Sequence, residues 1–213
     1  MPRAARQPTT EGADDALAPR EVLEELFSSR LRVAVLGEVL ARPHLAFGLT
    51  DLSRRLGLPV SSLQHECYKL ARIGVLVDER DGTARRYRPN PGSPLLGPLT
   101  ELLSSALGPE TLLRGATEGV SGLAWAALGG RLGPGRDPLH LVLVGRLTVE
   151  AVDAIHDRVA RAVAPHAAGR RVEVAYFPAA QWDARRQAAN PFVAHLLAGP
   201  LLVLTDDGGP AED

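Results

Sequence analysis

Ser61, Ser62, Gln64 and His65 crowd the start of one helical pattern, and Lys69 and Arg72 follow in the same stretch. A few residues on, Arg85, Arg86 and Arg88 sit beside an Asp81-Gly82-Thr83 turn. Short hydroxyl and amide side chains reach base edges, and arginines neutralise backbone phosphates with salt-dependent affinity. These are residue types for gripping a polyanion. Taken singly, each arginine reads as part of a solvated face, so the inference rests on the grouping. His65 and Cys67 are two apart and diverge on a helix, and no second cluster completes a tetrahedral metal site.

The charge distribution localises that grouping. The chain has 213 residues, with 24 basic against 25 acidic side chains and a formal charge of −1. Between Arg42 and Arg88 nine basic residues face five acidic ones, a local +4, whereas the chain from Gly108 onward carries −2. Local potential is what a polyanion meets. At 45% hydrophobic and 23% charged, the composition is that of a globular protein rather than a disordered chain. One cysteine excludes an intramolecular disulfide framework and a cysteine-only zinc site. No apolar run approaches the ~20 residues that cross a bilayer, and residues 1–18 lack an apolar signal core. A cytoplasmic protein without a membrane partner is the expectation.

The elements that would position these groups follow from periodicity. Val22, Leu26, Val33, Leu36, Val39 and Leu40 predict one amphipathic helix over 21–41, with acids in its first turn. Thr50 to Leu56 predicts a short helix stopped by Gly57. The next helix runs from about residue 60 to 73, with Leu63, Cys67 and Leu70 on its inner face and Ile73 closing it. Two extended segments about Asp81-Gly82-Thr83 then predict a hairpin over 75–88. Assembled, these pieces over 20–90 predict a winged helix-turn-helix, with the 60–73 helix entering a major groove and the hairpin lying along phosphates. Residues 1–19 and 207–213 are expected to be flexible tails. Residues 91–108 read as a linker: a Pro/Gly-rich break over 91–98, then a short helix to Leu107. The leucine stripe of that helix (Leu99, Leu102, Leu103, Leu107), together with the first helix, is the candidate dimer surface.

The stretch from Leu49 to Leu58, and from Leu63 through the hairpin to Tyr87, closely resembles winged helix-turn-helix transcriptional regulators of the arsenic-repressor-like (ArsR-like) type. The resemblance covers about a third of the chain. It implies a homodimer on double-stranded DNA, with Val60, Ser61, Ser62, Gln64 and His65 facing the groove. Lys69, Arg72, Arg85 and Arg86 would face phosphates, and Arg88 extends that basic set along the hairpin. The helix opens unusually, on Pro59-Val60, and the chain has a single lysine.

Residues 109–206 read as a second domain in which strands alternate with helices, so the whole is an α+β and α/β two-domain expectation. Apolar runs at 123–128, 139–145, 171–177 and 201–204 predict the strands, and 148–163, 178–187 and 190–199 the helices. Trp125, Tyr176, Phe177, Trp182 and Phe192 are the core candidates. This arrangement resembles the minimal nucleotidyltransferase domain, sometimes fused behind a winged helix in bacterial regulators. Active members carry Gly-Ser at the end of the first strand, Asp-x-Asp on the next, and a third acid on a later strand. Those carboxylates hold magnesium, a hard cation that needs oxygen ligands. Here Gly129-Gly130 stands at the first position, Pro138 and His140 at the two aspartates, and Glu173 at the third acid. Asp137 is one register off, which on a strand aims it at the opposite face. For Glu173 a solvated strand carboxylate is the favoured reading. The resemblance therefore implies a degenerate site with no metal, no cofactor and no enzyme activity. The domain would serve sensing of an unidentified small-molecule or protein effector, or assembly. Two alternatives stay open: transfer chemistry in an altered site using Glu173, His140 and Asp137, and an antitoxin-like protein-binding adaptor.

Overall fold

Helical spacing over 21–41 predicts one helix; the computed structural model, which describes residues 17–82 and 84–205, has two. They are α1 (Pro19–Leu26) and α2 (Arg30–Ala41). Ser29 causes the break. Its Oγ accepts from Arg32 N at 3.1 Å, a cap that competes with continuing the helix, and Ser28 before it takes a φ of 48°. The break lets Leu23 turn inward while Val22 and Leu26 stay exposed. The expected tails over 1–19 and 207–213 fall almost wholly outside the described residues.

β1 (Phe47–Gly48) leads into α3 (Leu49–Leu56), α4 (Val60–Arg72), β2 (Leu76–Asp81) and β3 (Ala84–Pro89). The three strands form an antiparallel sheet in the order β1-β3-β2, and β2 pairs with β3 from Leu76↔Pro89 to Asp81↔Ala84. Leu36, Leu40, Leu52, Leu63, Cys67, Leu70 and Tyr87 share one core. Ile73 departs from expectation at 59% exposed. The helix stops at Arg72, Gly74 turns the chain at a φ of 75°, and Val75 and Leu76 take the inner places instead.

The 91–98 break already contains the start of α5 (Leu96–Leu107). A helix not foreseen, α6 (Pro109–Thr117), follows Gly108. Then come β4 (Leu123–Gly129), β5 (Leu139–Gly145), α7 (Val149–Val163), β6 (Val172–Phe177), α8 (Ala179–Gln187), α9 (Pro191–Ala198) and β7 (Leu201–Val203). The sheet order is β6-β5-β4-β7. β5 runs antiparallel to β4 and parallel to β6, with α7 as the crossover a parallel pair requires. Along β5, Leu139, Leu141 and Leu143 meet a core shared with α6 and α7, while Val142 and Val144 meet one shared with α8 and α9. Both faces are covered, which is why the strand is apolar without alternation. The described chain is a mixed α/β protein.

Trp125, Phe177 and Trp182 are buried as expected, and Tyr176 is half-buried with its hydroxyl donating to Gly145 O at 3.1 Å. Phe192 is not core: it is 50% exposed. Asn190 caps α9 by accepting from Phe192 N, and the helix then turns Val193 and Leu196 to the sheet.

The leucine stripe of α5 is also corrected. Leu103 is buried, and Leu99, Leu102 and Leu107 pack against the first core. Ser104 Oγ donates to Ala162 O on α7 at 2.6 Å, and His166 Nε2 donates to Ser104 O at 3.0 Å. The helix is a wedge between the two sheets' helices rather than a free face. α2 and α6 touch by backbone beside it: a Cβ on Gly115 would lie 2.4 Å from Ala41 O.

Candidate nucleic-acid interface

The rotation of α4 about its axis decides which residues it shows, and two features set it. Leu63, Cys67 and Leu70 are buried, and Glu66, 3% exposed, accepts from Arg32 Nε on α2 at 2.6 Å. A carboxylate among apolar neighbours needs such a partner. Burial, and then the Glu66 charge, push the Cys67 thiol up to about 12, so it is an inert core group. The α3–α4 turn is fixed by Gly57 at a φ of 66° and by Ser53 Oγ donating to Leu58 O at 2.7 Å. Val60, Ser61, Ser62, Gln64, His65 and Arg72 are left exposed on one side, with Lys69 half-buried at its edge. Tyr68, 53% exposed, belongs to this face and was not singled out from sequence. Its position four residues after Gln64 was the available signal.

The hairpin answers its own cations. Arg85 on β3 sits 3.3 Å from Asp78 on β2, and Arg88 Nε donates to Glu79 Oε1 at 2.7 Å. The hydrogen bond from Arg88 holds the Glu79 carboxyl below its usual range. Arg86 is exposed on the same strand. Nearer the core, Arg54 pairs with Asp51, Arg55 with Glu38 and Glu118, and Arg42 with Glu38 and Glu118. Five of the nine basic side chains between Arg42 and Arg88 therefore already hold a carboxylate: Arg42, Arg54, Arg55, Arg85 and Arg88. Lys69 and Arg72, both on α4, have no carboxylate within 4.0 Å among the described residues.

The other singled-out positions gather at one end of the second sheet. Register pairs Gly129 with His140 and His140 with Glu173, a row across three strands. Gly130 follows at a φ of 100° and donates to Pro200 O. Pro138 and Asp137 lie ahead of β5, so the register expected for Asp137 is corrected: it is a loop residue outside the pleat. Arg170 holds that loop by donating from Nε to Asp137 O at 2.6 Å. The row borders a cleft of about 790 Å³ with Arg131, Arg136 and His195 on its walls. Glu173 is a solvated carboxylate, half exposed and 3.6 Å from Arg171. Among the described residues no three His, Cys, Asp or Glu side chains come together as a metal-holding group.

No protein-family model and no curated protein matches the chain. Among solved structures it is similar to human N-acetylserotonin methyltransferase in complex with SAM, at 13% identity and a TM-score of 0.27. The match covers 51% of this chain and 36% of that one. The neighbour found is an enzyme, and the expectation that this chain is not one is withdrawn. At this TM-score the likeness carries no argument about fold, cofactor or activity.

Proposed function

We propose that the chain is a DNA-binding transcriptional regulator acting as a homodimer. Residues 20–90 are a winged helix-turn-helix in this reading, and residues 109–206 a nucleotidyltransferase-like module for sensing or assembly. The observation that carries it is α4: a helix whose inner face is clamped by apolar packing and the Glu66–Arg32 pair, and whose outer face offers Ser61, Ser62, Gln64 and His65. Such a helix is rigid, polar and unobstructed, which is what groove readout needs. Lys69 and Arg72, with no carboxylate within 4.0 Å among the described residues, supply charge for phosphates beside it. The mixed strand order β6-β5-β4-β7 supports the second assignment. With the α5 stripe covered, the exposed Val22 and Leu26 of α1 remain as the apolar face for a second copy. Among the described residues no helix is long and apolar enough to cross a membrane, and a cytoplasmic site of action is part of the proposal.

A mobility shift on the DNA upstream of the protein's own coding sequence, at several salt concentrations, tests the reading. Binding that weakens steeply with salt, and loses sequence preference in Gln64→Ala, supports it. A protein-binding adaptor is the second reading, favoured by the self-neutralised hairpin and the exposed Val60, Tyr68 and Ile73. No shift at low salt selects the adaptor.

A further inference from the structure

The loop over 131–138 is built around one side chain. Arg170 donates to the main-chain oxygens of Arg131, Gly133, Asp137 and Pro138, so its guanidinium is committed to the loop. The loop wraps it closely: a Cβ on Gly135 would lie 3.1 Å from the guanidinium carbon. With those carbonyls drawn to Arg170, the side chains of Arg131 and Arg136 stay exposed, and both line the strand-end cleft of about 790 Å³. His140 of β5 and His195 of α9 line it too. Among the described residues neither Arg131 nor Arg136 has a carboxylate within 4.0 Å. Asp137 is the one carboxylate among the described residues on the walls, and Glu173, at the end of the neighbouring row, lies by Arg171. The chain from Gly108 onward carries −2, yet three of its ten arginines gather on this cleft. Its charge therefore runs against its surroundings.

We propose that the cleft binds a sugar phosphate, with the phosphoryl group on Arg131 and Arg136. Two guanidiniums on a braced loop hold an oxyanion with little ordering cost. Imidazoles from a strand and a helix add donors from two further elements, and a phosphate monoester offers three oxygens where a carboxylate offers two in a plane. No Phe, Tyr or Trp is among the lining residues, so a nucleobase finds no stacking platform. Much of the remaining wall is glycine and proline main chain, including Gly129, Gly130, Pro134 and Gly199, whose peptide groups suit a hydroxylated body. The inference rests on the sensing role proposed for residues 109–206 and on nothing in the DNA reading.

The test is isothermal titration of the full chain, in EDTA and at matched ionic strength, with ribose 5-phosphate and glucose 6-phosphate. Ribose, inorganic phosphate, citrate and adenosine monophosphate are the comparisons. Saturable binding of a sugar phosphate is expected, with none for ribose and weaker binding of inorganic phosphate. Adenosine monophosphate, which is ribose 5-phosphate with a base attached, should bind no more tightly than its parent. Arg131→Gln and Arg136→Gln, both at exposed positions suited to replacement, each weaken the affinity about tenfold, and together they abolish binding. Arg146→Gln, at the other end of β5, leaves it unchanged. No saturable binding of either sugar phosphate, tighter binding of adenosine monophosphate or citrate, or unaltered binding in the double variant overturns the inference. Because no DNA is present, failure here leaves the mobility shift standing, and a chain that binds sugar phosphate but shifts no DNA refutes the DNA reading alone.

Discussion

Arg55 Nη2, on the helix that braces α4, donates to Glu118 Oε1 at 2.5 Å across 63 residues of sequence. Glu118 ends α6 and also accepts from Arg42, while Glu38 accepts from both arginines. One carboxylate thus fastens α2 and α3 to the segment entering the second sheet.

That fastening has a pH signature. Burial opposes ionisation of Glu118, but hydrogen bonds from Arg55 and Arg42 outweigh it and hold its carboxyl below the usual glutamate range. A depressed carboxylate stabilises the fold above its unfolded pKa, and the contribution is lost as pH falls through the folded value. Urea midpoints between pH 7 and pH 3 should therefore fall more steeply in the parent than in Glu118→Gln, which loses about 1–2 kcal/mol at pH 7.

Gly115→Ala tests the backbone contact between α2 and α6. The new Cβ would meet Ala41 O at 2.4 Å, so the helices must part. Alanine favours a helix by about 1 kcal/mol over glycine, yet a net loss of roughly 1–3 kcal/mol is expected from overpacking. Equilibrium unfolding measures it, and a stabilised variant would contradict the contact.

Arg32→Met leaves Glu66 buried without a partner. Because Arg32 is itself 31% exposed, a loss of about 2–3 kcal/mol is expected rather than the full cost for a deeply buried pair. The double variant with Glu66→Leu should recover most of it, as an apolar pair needs no counter-charge. Unfolding curves for the three variants form the cycle.

Charge variants should divide by their present partners. Lys69→Ala and Arg72→Ala each lower the slope of log K against log salt by about 1, if they meet phosphates. Arg88→Ala changes it less, since Arg88 is already neutralised by Glu79. Gel-shift titrations at four salt concentrations separate the two classes.

The hairpin, the α3–α4 turn and the apolar faces of α4 and β5 were legible in the sequence because each is encoded over a few residues. Asp81-Gly82, Gly57 and the spacing of Leu63, Cys67 and Leu70 each act through local backbone geometry or a single periodicity. The row Gly129–His140–Glu173 was grouped in the sequence only by the family resemblance, and its register across three strands came from the structure. Local rules failed where neighbours decide. Ser29 split a helix whose apolar spacing continued through it, and Phe192 and Ile73 stayed outside because nearer side chains filled the inner places.

Whether a charge is available, and whether an apolar stripe is free, depends on what lies across space. Composition and motif put nine basic residues between Arg42 and Arg88, but only the tertiary structure paired most of them and, among the described residues, left Lys69 and Arg72 without a carboxylate within 4.0 Å. It also buried Leu103 of α5 and packed Leu99, Leu102 and Leu107 against the first core. Coulomb attraction and burial act between residues tens of positions apart, so no window of sequence contains them.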